Sequence, residues 1–151
     1  MPDKYAVFGN PIEHSKSPNI HRAFANQTDQ VMGYNKQLVD IDGFAAAADQ
    51  FFQSGGRGLN VTAPFKLDAY GYASRTTSRA RRAGAINTLA MQADGTVRGD
   101  TTDGIGLVRD LTQNLSWEIR AKRVLILGAG GAVRGILEPI LSEQPQHVVI
   151  A

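Results

Sequence analysis

Asn60-Val-Thr-Ala-Pro-Phe-Lys66 ends an apolar run, and a proline interrupts it before the lysine. Pro64 fixes its own φ and biases Ala63 toward an extended backbone. Regular structure therefore stops here, and Asn60, Thr62 and Lys66 can leave the end of a strand and point into one space. An amide, a hydroxyl and an ammonium together suit a small, oxygen-rich, anionic molecule. The plainer reading of the same heptad is a strand, a turn and a solvated lysine. Which of the two holds depends on what surrounds it.

Upstream, Tyr5-Ala-Val-Phe8 is a buried strand ended by Gly9-Asn10-Pro11. A polar loop leads to Ser17 and Pro18, which suit the N-cap and first position of a helix running to about Gln27. Tyr34 to Val39 alternates as a second strand. Asp42 is placed to cap a helix whose buried side is Phe44, Ala47, Ala48, Phe51 and Phe52, stopped by Gly55-Gly56. Gly58 to Val61 is the third strand and delivers the heptad. Downstream, Thr76-Thr77-Ser78 opens a polar helix that ends at Gly84, and Ala85 to Met91 is a strand. Ala93-Asp94-Gly95 turns a hairpin into Thr96 to Gly99. Gly99-Asp-Thr-Thr-Asp-Gly104 is a second polar junction, followed by a helix marked by Val108, Leu111 and Leu115.

Near Trp117 the character changes. A basic lead-in reaches the apolar strand Val124-Leu-Ile-Leu127, Gly128-Ala-Gly-Gly131 opens a helix to about Leu141, and His147 to Ala151 begins another strand. This alternation predicts an α/β fold: an open, three-layer substrate-binding domain on a mostly parallel sheet over residues 1–103, then the truncated start of a Rossmann dinucleotide-binding domain over 104–151. The change of domain is expected between Gly99 and Lys122. The expected selector of NAD or NADP, about 20 residues beyond the glycines, falls past Ala151. The chain therefore reads as a fragment, inactive alone, with an unpaired sheet edge and uncovered apolar surface at Leu125, Leu127 and Ile136.

The 151 residues are 42% hydrophobic and 20% charged, a balance typical of soluble globular chains. Sixteen Lys plus Arg against fourteen Asp plus Glu leave +2, which gives no ground for a nucleic-acid or membrane partner. Arg75, Arg79, Arg81 and Arg82 read as the solvated face of a short helix. With no cysteine there is no disulfide, thiolate nucleophile or cysteine-bound zinc, as suits a cytoplasmic protein. His14, His21 and His147 lack metal-ligand spacing, so no metal site is expected. The start of the chain has no signal-peptide pattern.

Two constellations carry chemistry. A glycine-rich turn between an apolar strand and a helix lets backbone N–H groups approach a pyrophosphate. Gly128, Ala129, Gly130, Gly131, Ala132 and Val133 form that turn, with Val133 where glycine or alanine allows the closest strand–helix packing. The second constellation is polar: Ser15 and Ser17; Asn60, Thr62 and Lys66; Asn87 and Thr88; Asp100 and Asp103. Each group sits where an α/β sheet switches from strand to helix, the usual place for a ligand. Singly, each has a plainer role: Ser17 and Asp103 as helix caps, Asn87 as a strand polar group, Lys66 as a surface charge. Together, ahead of a dinucleotide turn, they suggest a site for a polyhydroxylated acid.

Gly9-Asn-Pro-Ile-Glu-His-Ser-Lys-Ser-Pro18, Asn60-Val-Thr-Ala-Pro-Phe-Lys66, Gly84-Ala-Ile-Asn-Thr88, Gly99-Asp-Thr-Thr-Asp-Gly104 and Gly128-Ala-Gly-Gly-Ala132 resemble, in order and spacing, the signatures of the shikimate/quinate dehydrogenase family. The resemblance runs to about the middle of a family member. It implies NADP(H)-dependent, reversible reduction of 3-dehydroshikimate to shikimate, on the chorismate route to aromatic amino acids. It implies that Ser15 and Ser17 bind the substrate carboxylate, that Asn60, Thr62, Asn87 and Asp103 hold ring hydroxyls, and that Lys66 and Asp103 are the catalytic pair. Residues 1–103 would then be the shikimate-binding domain and 104–151 the opening of the NADP-binding one. The sequence departs from the family pattern at Ala63, Thr101 and Val133, where valine, asparagine and a small serine or alanine are usual.

Three other readings compete. A quinate/shikimate dehydrogenase using NAD shares these motifs. A shikimate- or quinate-binding module without catalysis needs neither Lys66 nor Asp103. A folate-type methylene dehydrogenase is disfavoured, because no tyrosine stands four residues before a lysine. A homodimer through the unpaired edge is compatible with the sequence.

Overall fold

The computed structural model describes residues 2–151. Its first strand, β1 (Asp3–Gly9), lies between β2 (Met32–Leu38) and β3 (Gly56–Val61), parallel to both. The sheet continues with β5 (Thr88–Met91), β6 (Val97–Asp100) and the short β4 (Arg75–Thr76), in the order β2-β1-β3-β5-β6-β4. Ladders β1–β2, β1–β3 and β4–β6 are parallel, as the alternation of strands and helices predicts. Strand β5 alone runs against its neighbours, β3 and β6. A separate two-stranded parallel sheet joins β7 (Arg123–Ile126) and β8 (His147–Ile150).

Period-two alternation sends Ala6 and Phe8 of β1, and Leu59 and Val61 of β3, to one face of the large sheet. There they meet Phe44, Ala48 and Phe52 of α2 (Phe44–Gln53), Ala69 of α3 (Lys66–Tyr72) and Ala80 of α4 (Ser78–Ala83). Phe8, Phe65, Ile86 and Leu89 are the largest fully buried side chains. Burying each is worth roughly 1.5–3 kcal/mol. Phe65 thus anchors the turn that precedes Lys66. Helix α1 (Ser17–Gln27) packs on β2 at the other side.

Local signals fail at several points. The residue before α1 is Lys16, and Ser17 is already helical, because the Ser15 hydroxyl accepts from the Ser17 N–H at 3.3 Å. Gly43, not Asp42, precedes α2, with no side-chain cap. Gly56 begins β3 rather than ending α2. The strand expected from Ala85 begins only at Thr88, since Ile86 and Asn87 donate to the carbonyls of Lys66 and Asp100. Helix α3 and strand β4 are absent from the sequence reading; Phe65 and Ala69, four apart and both fully buried, mark that helix. Thr77 and Gly84 do bound α4 as expected: the Thr77 hydroxyl accepts from the Ala80 N–H, and Gly84 adopts φ +59°.

Helix α5 (Asp103–Arg109) relaxes into a π-helical turn over Asp110–Asn114, leaving Leu115 exposed and outside it. Helix α6 (Gly131–Ser142) crosses α5 with almost no gap. A Cβ at Gly104 would lie 2.3 Å from the Gly135 carbonyl oxygen. This close crossing draws Ile136 against a second core of Val108, Ile119, Ile126 and Ile140, so Ile136 is not uncovered. Leu125 and Leu127 are exposed, as expected. Gly104→Ala should force the two helices apart and cost about 1–3 kcal/mol, the usual range for overpacking. A lowered urea midpoint would show it, and a midpoint equal to wild type would contradict this account of the crossing.

Candidate active site

Four stretches of chain converge at the carboxyl end of β1 and β3. Gly9 carries no side chain because a Cβ there would sit 2.5 Å from Thr62 Cγ2 and 2.8 Å from Ile12 Cδ1. The Asn10 N–H donates to the Ala63 carbonyl at 3.1 Å, joining the turns at Pro11 and Pro64, both preceded by cis peptide bonds. Strand β5 enters from the same end, because its antiparallel pairing sets Thr88 opposite Asn60 and Asp100 opposite Thr88. Asn87 and Asp103 therefore arrive beside Lys66.

Lys66 Nζ donates to Asp103 Oδ2 at 2.5 Å, with side chains 18% and 32% exposed. Asn87 Nδ2 donates to the other carboxylate oxygen, Oδ1, at 2.7 Å and to Thr102 Oγ1 at 2.9 Å. The Thr102 N–H returns a hydrogen bond to Asn87 Oδ1 at 3.1 Å. The carboxylate is thus held at both oxygens, and the ammonium keeps two further protons for another acceptor. Asn60 Nδ2 faces the Asn87 carbonyl and Thr88 Oγ1 at 3.4 and 3.3 Å, while Tyr34 Oη donates to Asn60 Oδ1 at 2.6 Å. Ser15 Oγ donates to Ser17 Oγ at 3.2 Å. Both serines stand at the start of α1, which has no side-chain cap. Thr62 is packed on Gly9 through its methyl group.

A second charged brace lies behind Asp103. Arg79 Nε and Nη2 donate to Asp100 Oδ1 and Oδ2 at 2.7 and 2.5 Å, and the Thr77 hydroxyl donates to Oδ1 at 2.6 Å. Burial raises the Asp100 carboxyl, but Arg79, Thr77 and the Thr101 N–H outweigh it and hold it below the ordinary carboxylate range. Arg79 is therefore not a solvated charge, and Arg75 and Arg82 pair with Asp94 and Glu138. Thr101 is buried beneath α6, its hydroxyl lying 3.1 Å from where a Cβ on Gly135 would be.

The glycine turn lies alongside. A Cβ on Gly131 would be 3.4 Å from Lys66 Cβ, so α6 starts directly against the lysine. Gly128 has φ +99°, a conformation side chains disfavour, and positions 128 and 130 face open space. Ala129 and Ala132 are exposed, and no side chain caps α6. Val133 packs on the second core instead of facing the turn. The contacts of Tyr34, His21, Thr77, Arg79 and Thr102 escape the sequence reading.

The fold and this edge define a substrate-binding domain joined to a short two-stranded parallel sheet and its helix. A family model described as the shikimate dehydrogenase substrate binding domain matches residues 7–89, more than half of the chain. The chain belongs to the shikimate dehydrogenase family through this domain. It is 64% identical over its whole length to a shikimate dehydrogenase (NADP(+)) of Cellvibrio japonicus, covering 54% of that protein. Among solved structures it is similar to an Ael1 enzyme from Pseudomonas putida, with 48% identity and TM-score 0.90 over 98% of this chain and 54% of that one. It is also similar to shikimate dehydrogenase from Aquifex aeolicus, with 29% identity and TM-score 0.91 over 99% of this chain and 55% of that one. The chain thus spans about half the length of the curated relatives it matches.

Asp100 makes a pH test of the brace. A carboxyl depressed in the folded state stabilises the fold above its unfolded pKa, near 3.9. That stabilisation is lost as pH falls through the lower folded value. Asp100→Asn should therefore cost about 1.5–3 kcal/mol at neutral pH. Denaturant titrations should show the deficit shrinking below about pH 4. A deficit that stays constant on acidification would contradict the brace.

Proposed function

We propose that the chain is the substrate-binding half, with the opening of the cofactor half, of a shikimate dehydrogenase that interconverts 3-dehydroshikimate and shikimate with NADP(H). The observation that carries the reading is the Lys66–Asp103 pair at 2.5 Å, held by Asn87 beside the glycine turn in a domain of that family. Residues 1–103 form the shikimate-binding unit, and 104–151 begin the cofactor unit. The enzyme works in the cytoplasm, and no helix among the described residues is long and apolar enough to cross a membrane.

Ser15 and Ser17 take the substrate carboxylate, where the uncapped N–H groups of α1 favour an anion. Asn60, Thr62 and Asn87 receive ring hydroxyls. When bound, NADPH supplies the hydride; the turn of Gly128, Ala129, Gly130, Gly131 and Ala132 has the open backbone a pyrophosphate needs, with Val133 packing behind it. Reduction leaves negative charge on the former carbonyl oxygen. Lys66 stabilises that charge and donates a proton to it, and in the reverse direction accepts the hydroxyl proton. Asp103 holds the ammonium in place and accepts a hydrogen bond from the same hydroxyl.

The assay uses the full-length enzyme with shikimate or quinate and either nicotinamide, followed by absorbance. Shikimate with NADP+ should dominate; turnover of quinate with NAD+ alone would overturn the reading. Lys66→Ala in that enzyme should lower kcat by about 100-fold or more, as general acid–base groups typically do, with shikimate binding mostly kept. Unchanged turnover would remove Lys66 from the mechanism.

A further inference from the structure

Tyr34 stands behind the proposed substrate site rather than in it. Its pairing partner in the sheet is Tyr5, and Asn60 pairs with Val7 two residues further along the same strand. Both side chains therefore project to the face opposite the main core, where Tyr5, His21, Met32, Tyr34, Asn60 and Thr88 help to line a cavity of about 270 Å³. The His21 ring stacks on the phenol, with centroids 4.3 Å apart and planes 8° from parallel. Burial lowers the His21 pKa, against a raising contact from Asn60, so the stacked ring is neutral near pH 7. Burial also raises the phenol far above its ordinary value, with the adjacent Ser17 hydroxyl acting in the opposite sense. Tyr34 is thus a neutral hydroxyl that donates to Asn60.

The hydrogen bonds around Asn60 have only one consistent direction. The Asn87 carbonyl can only accept, and it already receives the Val61 N–H at 2.8 Å. The Asn60 amide must turn Nδ2 toward it, at 3.4 Å, and Oδ1 toward Tyr34, at 2.6 Å. The bond to the phenol is short, while both bonds made by Nδ2 are long, at 3.4 and 3.3 Å. The Asn87 carbonyl and the Thr88 hydroxyl thus set which end of the carboxamide is which, and the short bond from the phenol holds the side chain in place. Without it the carboxamide is held only by the two long bonds of its Nδ2.

Resting on the shikimate dehydrogenase reading, we propose that Tyr34 is a positioning residue: its hydroxyl holds the Asn60 carboxamide in the place where it meets the ring hydroxyls of the substrate. The phenol proton is spent on Asn60.

The test is steady-state kinetics of the full-length enzyme with Tyr34→Phe, which keeps the ring stacked on His21. The expected result is a shikimate KM raised about three- to ten-fold, in line with one lost hydrogen bond, with kcat and the NADP+ KM nearly unchanged. If Tyr34 acts through Asn60, Tyr34→Phe should add little to Asn60→Ala in the double variant. Asn60→Asp keeps the acceptor for Tyr34 but has no N–H to offer, and should raise the shikimate KM at least as far. A wild-type KM in Tyr34→Phe or in Asn60→Asp, or full additivity in the double variant, overturns the inference while leaving the enzyme a shikimate dehydrogenase. A wild-type enzyme that does not turn over shikimate removes the functional reading, and this inference with it.

Discussion

The reversal of β5 is the constraint on which the site depends. In an all-parallel sheet the carboxyl ends of strands gather at one edge, and every strand contributes the residues just after its end. Strand β5 contributes the residues just before its start, because it enters at that edge and runs the other way. Its antiparallel partner β6 then exits at the same edge. One reversal thus places Asn87 and the Asp100–Asp103 junction next to the turn carrying Lys66, with no long crossover. The short turn at Asp94 and Gly95 suffices, fixed by Asp94 accepting from the Thr96 N–H and hydroxyl. Backbone hydrogen bonds from Ile86 to Lys66 and from Asn87 to Asp100 hold the three stretches in register.

Charge is arranged so that nothing at this edge is left half-satisfied. An ammonium and a carboxylate that are mostly withdrawn from water cost several kcal/mol unless paired and hydrogen-bonded. Asp103 is satisfied by Lys66 on one oxygen and Asn87 on the other. Asp100, three residues earlier, is satisfied by Arg79, Thr77 and the chain itself. The two acids have separate partners and do not compete. Asp100 fixes the loop, and Asp103 is left with its lysine. An Arg fork suits the fixed role, since it cannot lose its proton, whereas the lysine of the other pair is a group that can.

The residues that punctuate the chain made much of this legible. Pro11, Pro18 and Pro64 each mark a real turn or helix start, and the glycine turn after β7 stands where its apolar strand predicts. The meeting of Lys66, Asn87 and Asp103 could be expected because all three lie just before or just after strands in a layered fold. What local rules could not show depends on partners far along the chain. Ser17 fails as a cap because it is already helical, its N–H given to the Ser15 hydroxyl, and Asp42 fails because Gly43 precedes the helix. Arg79 looks solvated in sequence because its partner, Asp100, lies across a hairpin. Tyr34 looks like one more residue of an alternating strand. Its importance arises only when β1 comes to lie between β2 and β3 and sets it near Asn60.

The two sheets meet through close main-chain contact as well as through side chains such as Arg82 and Glu138, and the main-chain contact bears on how accurately the halves are placed. Gly104 lies so close to the Gly135 carbonyl that no side chain fits between them, and Gly131 begins α6 beside Lys66. A contact made by flexible side chains would let the glycine turn drift by as much as those chains can bend. Contact between helix backbones leaves no such slack, because the backbone of a helix is the stiffest surface the chain has. Thr101 and Asp103 lie under the same helix, so whatever sets the position of α6 also sets the roof over the lysine–carboxylate pair. Small residues at this crossing are therefore part of the site's geometry, although none of them carries a functional group.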